Sequence, residues 1–146
     1  NKSFVRKNIV DQYISILNYC IEKHRVAIDS PIRVSIASDL SLEINHMGRD
    51  VSYGLLSTGE KIRVNFSLSM GFNEFISING VSTNILMIDE ILDSGIDADG
   101  FYKIYNALVD MNKSVFIITH RNELMKEDNK HMFVIKKDGF TDIEID

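Results

Sequence analysis

The sequence predicts an α/β fold with a mostly parallel sheet, flanking helices and a small antiparallel strand pair. Two short apolar runs, 85–88 and 115–118, are bounded by polar residues and separated by a helix-like segment. A strand, a helix and a second strand within about 35 residues are typical of a crossover unit, whose strands lie parallel in one sheet. Apolar and polar residues alternate over 32–44, which indicates antiparallel strands with one face in water.

Composition and charge limit the classes of protein to which the chain can belong. It has 146 residues, of which 45% are hydrophobic and 25% are charged, as is usual for one globular domain. Its longest apolar run is four residues, whereas a membrane-spanning helix needs about 20. A single cysteine, Cys20, cannot form an internal disulfide, so we predict a cytoplasmic protein with no membrane partner. The net charge of −5 means that any DNA contact needs a local basic patch.

The first predicted element is a long helix over 3–25, a segment without glycine or proline. Its apolar residues recur at steps of three and four and therefore form a broad stripe along one side. The stripe consists of Ile9, Val10, Tyr13, Ile14, Ile16, Leu17, Cys20 and Ile21. The alternation that follows predicts strands at 32–36 and 40–44 and a turn at 45–48.

The second predicted helix begins near Ser57 and ends near Phe75. Ser57 and Glu60 have the spacing of a capping box, in which each side chain satisfies a backbone N–H of the other residue. The side chains that we expect this helix to bury are Ile62, Phe66, Leu68, Phe72 and Phe75. The dipeptide at 79–80, Asn-Gly, predicts the turn that follows.

The second half of the chain supplies the predicted parallel strands. The runs 85–88 and 115–118 are continuously apolar, which is typical of strands buried on both faces. The helix between them is expected over 98–111, where it buries Phe101, Ile104, Tyr105 and Leu108. The rest of the chain predicts a short helix near 122–127 and two strands, 132–136 and 140–145, joined by a turn at 137–139.

Two adjacent carboxylates, Asp89 and Glu90, end the first apolar run. They are expected at the carboxyl edge of the parallel strands, where such sheets bind ligands. Because successive strand residues point to opposite sides, Asp89 could hold Mg²⁺ through water while Glu90 orients and deprotonates an attacking water. A solvated acidic loop would explain the same two residues.

Two further segments could meet a phosphate. The helix start at 57–60 combines a hydroxyl, a glycine and backbone N–H groups at the positive end of a helix, although any capped helix has these features. His120 follows the second apolar run and is expected beside Asp89, where a neutral imidazole can donate a hydrogen bond to a phosphate. A histidine at this position can equally be structural. The other three histidines show no metal-ligand spacing.

The acidic segment 93–100 does not fit a calcium-binding loop. With Gly100 at the fixed glycine of such a loop, Gly95 and Asn106 stand where an aspartate and a bidentate glutamate belong. The segment is therefore predicted to be a glycine-hinged loop, with Asp97 or Asp99 as the N-cap of the next helix.

The order of these motifs resembles that in the heads of ABC-type ATPases. The segments 56–60 (LSTGE), 85–90 (ILMIDE), 94–97 (SGID) and 117–120 (IITH) are similar to the signature, Walker B, D-loop and H-loop. Within this family the chain most resembles the SMC-like double-strand-break-repair ATPases, and among them the large subunits of phage recombination endonucleases. By this resemblance, residues 1–146 form the C-terminal lobe of a P-loop ATPase head. Its coiled-coil exit helix is 1–25, and the motifs lie in 56–121.

The resemblance implies that two heads enclose two ATP molecules, each with Mg²⁺. Asp89 would hold the Mg²⁺ through water, and Glu90 and His120 would be the catalytic residues. The residues that would contact the ATP of the opposite head are Ser57, Thr58, Gly59, Glu60 and Asp97. ATP closes such heads, hydrolysis opens them, and in the repair branch this cycle gates DNA for a metallo-phosphoesterase nuclease subunit. The implied partners are the N-terminal Walker A lobe of the same protein, a second head, the nuclease and DNA.

The sequence departs from the family pattern at three points. No G-x-x-x-x-G-K-[ST] loop is present, so we predict that this chain alone binds ATP weakly and does not hydrolyse it. Thr58 stands where the signature usually has glycine, and Asp97 lies one residue further from Asp89 than usual. Because the chain begins at Asn1, we expect a piece of a longer protein, located in the host cytoplasm if a phage encodes it. The missing lobe is expected to leave apolar surface uncovered, so that the chain self-associates.

The sequence leaves two other functions open. A phosphoacceptor receiver domain also has an acidic residue after a buried strand and a threonine, here Thr119, at the end of the next strand. It needs a further acidic pair near the first strand, where only Asp39 is present, and it gives no role to the helix start at 56–60. The second alternative is a non-hydrolysing, head-like scaffold for DNA or protein. Its phosphate contacts could be Lys61 and Arg63 together with Lys2, Arg6 and Lys7, although these cations could equally form a solvated face. Glu90 argues against it, because a site without turnover has no need of this glutamate.

Overall fold

In the computed structural model, which describes residues 2–89, 95–121, 130–137 and 140–145, the chain forms three α-helices and seven strands. In chain order the elements are α1 (Lys2–Ala27), β1 (Ile32–Ile36), β2 (Leu42–His46), β3 (Arg49–Asp50), a 3₁₀ turn (Tyr53–Leu55), α2 (Thr58–Ile78), β4 (Ile85–Asp89), α3 (Ala98–Val109), β5 (Ser114–Ile118), β6 (Met132–Lys137) and β7 (Phe140–Ile145). All predicted helices and strands that fall on these residues are present. The predicted helix near 122–127 and the turn residues 138 and 139 lie outside the described residues.

The strands form three separate sheets. β4 and β5 are parallel, with Leu86 paired with Val115, which confirms the predicted strand–helix–strand unit. β1, β2 and β3 form an antiparallel sheet, in which the short β3 extends the predicted strand pair, and β6 pairs antiparallel with β7. Leu40, predicted to begin the second strand, instead lies in the turn before β2 with a φ of +67°. The prediction is wrong there because the Leu40 N–H donates to the Ala37 carbonyl (2.9 Å) and closes a turn.

One core lies between α1, α2 and the antiparallel sheet. Its buried side chains are Leu17, Ile21, Ile32, Val34, Ile44, Leu56 and Val64. The two helices approach closely at Gly71 of α2, where a Cβ would lie 2.7 Å from the Cα of Ile21. Only part of the predicted α1 stripe is buried, namely Ile14, Leu17, Cys20 and Ile21. Its other side chains are 41–49% exposed, namely Ile9, Val10, Tyr13 and Ile16.

A second core joins the other side of α2 to α3 and the parallel strands. Its buried side chains are Ile28, Phe66, Met70, Ile88, Ile96, Phe101, Ile104, Tyr105 and Leu108. All four residues predicted for α3 are among them. The prediction for α2 holds for Phe66 but is wrong for Phe72, which is 42% exposed. α2 is buried toward α1 at Gly71 and toward α3 at Phe66 and Met70, and Phe72 belongs to neither core.

The parallel strands are buried on one face only, whereas the sequence predicted burial on both. Ile88 is 5% exposed, but the side chains of the other face are 48–68% exposed, namely Ile85, Met87, Phe116 and Ile118. Met87 pairs with Phe116, so the exposed side chains of the two strands lie on the same side of the sheet. No element among the described residues covers this surface. We refer to these four residues as the open face.

Candidate functional site

Asp89 and His120 lie at the same edge of the parallel strands. Asp89 ends β4 and is paired with Ile118, the last residue of β5, so His120 stands only two residues beyond that pair. Both side chains are exposed. This is the edge at which the sequence places the two residues, and sheets of this kind bind ligands there. Glu90, the predicted base, lies outside the described residues.

Asp89 also lies at the end of the open face. Side chains alternate along a strand, so Asp89 shares the side of β4 that Ile85 and Met87 occupy, opposite the buried Ile88. An exposed carboxylate therefore borders an apolar surface that another part of the protein can cover. Carboxylate oxygen is the ligand type that Mg²⁺ binds, directly or through water.

The start of α2 is held by the predicted capping box. The Ser57 hydroxyl accepts a hydrogen bond from the Glu60 N–H (3.4 Å), and the Glu60 carboxylate accepts from the Ser57 N–H and from the Ser57 hydroxyl (both 2.8 Å). The hydrogen bonds from Ser57, that of its backbone first, hold the pKa of Glu60 below its usual value. The Glu60 carboxylate is therefore occupied by the cap of its own helix. Its Oε1 also lies 3.6 Å from Nδ1 of His46. The first-turn N–H groups of a helix have no acceptor within it.

The loop 95–97 packs directly on the start of α2. Gly95 has a φ of +80°, in the region that favours glycine. A Cβ on Gly59 would lie 2.6 Å from the Gly95 carbonyl oxygen, and a Cβ on Gly95 would overlap the Thr58 side chain. Both glycines are therefore needed for the contact. The methyl group of Thr58 lies against Gly95, so a side chain is accommodated at this signature position.

Asp97 caps α3 and also pairs with α2. Its Oδ1 accepts a hydrogen bond from the Gly100 N–H (3.3 Å), which makes Asp97, rather than Asp99, the N-cap. The same oxygen lies 2.8 Å from Nη2 of Arg63. The hydrogen bond from Arg63 holds the pKa of Asp97 below its usual value, so the carboxylate stays charged. The Asp97 side chain remains 65% exposed.

Two arginines join these segments through contacts that the sequence did not indicate. Arg63 reaches Asp97, which is 34 residues away in the chain. Arg121 donates from Nη2 to the Ile96 carbonyl (3.0 Å), 25 residues away, and its guanidinium carbon lies 4.7 Å from the centroid of the Phe101 ring. A pattern of neighbouring residues cannot reveal contacts of this range.

The remaining candidate residues do not form a second site. Where the structure describes the chain, no group of three or more His, Cys, Asp and Glu side chains could hold a metal ion. β1 and β4 belong to different sheets, so Asp39 does not share the edge that carries Asp89. This arrangement argues against the phosphoacceptor alternative.

Sequence comparison finds relatives among phage nuclease subunits. The chain is 30% identical to exonuclease subunit 2 of Enterobacteria phage T4 over 142 residues, and 30% identical to exonuclease subunit 2 of Escherichia phage RB69 over 144 residues. Each match covers 95% of this chain and 25% of the relative, so the chain spans about a quarter of the length of these curated relatives. No protein-family model matches the sequence.

Structural comparison finds SMC heads. A structure solved to explain ATP-driven dimerization and DNA-stimulated activation of SMC ATPases matches with a TM-score of 0.77 and 15% identity, over 95% of this chain and 88% of that chain. The Pyrococcus furiosus Smc head with an extended coiled coil, bound to the C-terminal domain of ScpA, matches with a TM-score of 0.73 and 16% identity, over 95% of this chain and 36% of that chain. The Thermotoga maritima SMC head domain matches with a TM-score of 0.62 and 21% identity, over 94% of this chain and 51% of that chain. The chain has the fold of an SMC-type head and fits its C-terminal lobe.

Within the described residues, the segments that carry the predicted motifs contact one another. The start of α2 touches the loop 95–97, and this loop touches Arg121, the residue after His120. The predicted fold class and the resemblance to phage recombination endonuclease subunits are both confirmed. In the described part of the lobe, no helix is long and apolar enough to cross a membrane.

Proposed function

We propose that this lobe is half of an ATP-hydrolysing head, which closes on a second head when ATP binds and gates DNA for a nuclease partner. The observation that carries the proposal is the pairing of Asp89 with Ile118, because it brings Asp89 and His120 to one edge. Together with the capped start of α2, the lobe offers a carboxylate for a metal, an imidazole for a phosphate oxygen and a helix terminus for an anion.

The residues at this edge suit a magnesium-bound nucleotide. Asp89 is exposed and would hold Mg²⁺ through water, and the bound ion neutralises phosphate charge during phosphoryl transfer. His120 would donate a hydrogen bond to the γ-phosphate of ATP bound to its own head. Glu90, the next residue after Asp89, would orient the attacking water and take its proton.

The N-terminal lobe of the same protein would complete the site. This chain contains no phosphate-cradling G-x-x-x-x-G-K-[ST] loop. Its open face ends at Asp89, so a lobe that covers Met87 and Phe116 can bring such a loop to that carboxylate. We expect the isolated chain to bind ATP weakly and not to hydrolyse it, because the phosphates would lack their main-chain cradle and lysine.

The signature residues would act on the ATP of the second head. Ser57 and Thr58 are exposed, and Gly59 packs against the carbonyl oxygen of Gly95. The Ser57 hydroxyl donates to the Glu60 carboxylate and accepts from the Glu60 N–H, so it has to turn toward a phosphate. The N–H groups of Thr58 and Gly59, at the start of the helix, would meet a phosphate without this rearrangement. Glu60 would hold this helix start in place, and the charged, exposed Asp97 would extend across the dimer interface.

The phage relatives indicate a biological setting. Both are named exonuclease subunit 2, which implies a further subunit, and the SMC ATPases to which the fold is similar dimerise with ATP and are activated by DNA. We infer that the complete protein acts with a metallo-phosphoesterase nuclease in recombination and double-strand-break repair, in the cytoplasm of an infected host. The N-terminal part of α1, where Ile9, Val10 and Tyr13 are exposed, would continue into a coiled coil.

Two variants of the complete protein test this proposal. Glu90→Gln is expected to lower ATP turnover by about 100-fold or more and to accumulate ATP-bound dimers, because the attacking water keeps its proton. Ser57→Arg is expected to prevent ATP-driven dimerisation, measured by sedimentation, while single heads still bind ATP. Ser82→Arg, on an exposed loop, is the control for the added charge.

The outcomes separate the proposal from its alternative. Dimers of Ser57→Arg that are as tight as those of the unsubstituted protein would exclude the trans role of the signature. A complete protein that binds ATP and DNA but hydrolyses no ATP, with or without Glu90, would favour the non-hydrolysing scaffold.

A further inference from the structure

We propose that Arg63 and Arg121 are positioning residues that join the ATP edge of each head to the signature helix of the same head. They hold successive residues of the loop 95–97, one at Asp97 and the other at Ile96. The inference rests on the proposed function, because it describes how the ATP site of one head is connected to the helix that acts on the ATP of the other.

The first connection runs from the end of β5 to the loop. Arg121 follows His120 directly, donates to the Ile96 carbonyl (3.0 Å) and lies over the Phe101 ring at 4.7 Å. Its backbone N–H donates to Oγ1 of Thr119 (3.0 Å), so the residues on both sides of His120 are tied together. The Ile96 side chain is itself buried, at 6% exposure. A shift of the segment around His120 is therefore transmitted to Ile96, a loop residue whose side chain is buried in the core.

The second connection runs from the loop to α2. Asp97 lies 2.8 Å from Arg63, whose side chain is only 18% exposed. The low exposure of the guanidinium favours keeping its counterion, and the exposure of Asp97 to solvent keeps this preference moderate. Arg63 stands less than two helical turns beyond Ser57, so the loop is fixed to the part of α2 that carries the signature.

Gly100 in α3 allows Arg63 and Asp97 to approach each other closely. A Cβ on Gly100 would overlap Nη2 of Arg63 and lie 2.7 Å from Oδ1 of Asp97. The guanidinium therefore rests on the first turn of α3, at a position where every side chain would displace it. Gly100→Ala disturbs the ion pair without removing either charge, and alanine favours the helix over glycine.

These contacts connect three segments through one loop. A change at the His120 edge on ATP binding or hydrolysis is passed to the start of α2, because the loop is bonded on both sides and packed against Thr58 and Gly59. We expect the arginines to affect closure with the second head and turnover. Binding of ATP to a single head does not depend on them.

Variants of the complete protein test this division. Arg121→Gln, Arg63→Gln and Gly100→Ala are expected to lower turnover and ATP-driven dimerisation by roughly 5–150-fold, the usual range of coupling between two sites. Equilibrium dialysis in a Ser57→Arg background is expected to give ATP affinities for single heads that are unchanged within about twofold. The control is Lys103→Ala, which removes a cation of α3 that pairs with other carboxylates.

Further measurements separate positioning from folding. Gly100→Ala keeps both charges and is expected to unfold at the same urea concentration as Lys103→Ala, so its loss of dimerisation is not a loss of structure. Arg121→Lys keeps the charge but not the planar group over Phe101, and we expect it to be as impaired as Arg121→Gln.

The inference is overturned if Arg121→Gln and Gly100→Ala dimerise and turn over like Lys103→Ala, or if they lose ATP binding to single heads by the same factor as turnover. If the unsubstituted protein neither dimerises with ATP nor hydrolyses it, the proposed function fails instead.

Discussion

A histidine at the contact between α1 and α2 makes the stability of the chain sensitive to single protonation events. His24 Nε2 lies 2.7 Å from Oε2 of Glu74, and Lys23 Nζ lies 2.7 Å from Oε1 of the same carboxylate. Burial lowers the pKa of His24, and the charge of Glu74 offsets this only in part. Burial opposes ionisation of Glu74, but Lys23 and His24 outweigh it and hold the pKa of Glu74 below its usual value.

The free energy of unfolding is therefore expected to fall as the pH is lowered. The unfolded state takes up a proton at His24 near pH 6.5, before the folded state does, so stability falls from that pH down to the lowered folded pKa. Glu74 adds stability above its ordinary pKa of 4.5, which is lost as the pH falls through its lowered folded pKa.

Urea unfolding at a series of pH values measures this dependence. His24→Gln is expected to reduce the dependence of the free energy of unfolding on pH below pH 6.5. His131→Gln, which lies outside this contact, is the control and is expected to keep that dependence. A slope that is equally steep in both variants would show that His24 is not its source.

At the scale of elements, α1 and α2 pack closely because position 71 carries no side chain. A Cβ on Gly71 would lie 2.7 Å from the Cα of Ile21 and 2.8 Å from its backbone nitrogen, so the helices have to separate. Gly71→Ala is expected to lower the free energy of unfolding by about 1–3 kcal/mol, as over-packing of a core does, even though alanine favours a helix by about 1 kcal/mol.

The control for this prediction is Ser69→Ala, at an exposed position of the same helix. It is expected to be neutral or slightly stabilising when the two variants are compared by urea unfolding. Gly71→Ala unfolding at the same urea concentration as Ser69→Ala would contradict the close approach of the helices.

The elements that the sequence predicted correctly are those whose signals are local. The capping box joins residues three apart, and the buried side of α3 follows from steps of three and four. The sequence also predicted that Asp89 and His120 lie close together, because the carboxyl ends of neighbouring parallel strands share one edge of the sheet. The predictions were wrong at Leu40, which lies in a turn rather than a strand, and at Phe72, which is exposed. These two outcomes depend on how a turn closes and on which elements lie around a helix.

The contacts of Arg63 and Arg121 also depend on the tertiary arrangement, and for this reason the sequence could not predict them. Each arginine meets a partner 25 or more residues away, on a loop whose position is set by the packing of α3. The sequence supplies the residue types of the site and the edge at which they meet. Which cations connect that edge to α2 depends on the tertiary arrangement.

At the scale of the whole molecule, we propose that another lobe covers the open face of the parallel strands. Its four apolar side chains are 48–68% exposed, and full burial of such a side chain stabilises by about 1.5–3 kcal/mol. The isolated chain is therefore expected to self-associate through this face. Sedimentation velocity is expected to show a shift toward monomer for Phe116→Glu.

Val109→Glu is the matched control, because Val109 is 60% exposed but lies outside the open face. It is expected to leave the self-association of the chain unchanged. An unsubstituted chain that stays monomeric at high concentration, or equal effects of the two glutamates, would contradict this role of the open face.

The central claim is that Asp89 and His120 belong to an ATP site which a separate lobe completes. The most direct test mixes this chain with a separately purified N-terminal lobe that carries the lysine loop, and measures ATP hydrolysis. We predict turnover in the mixture, none in either part alone, and none when the chain carries Asp89→Asn. Hydrolysis by this chain alone, or a mixture that remains as active with Asp89→Asn, would contradict the claim.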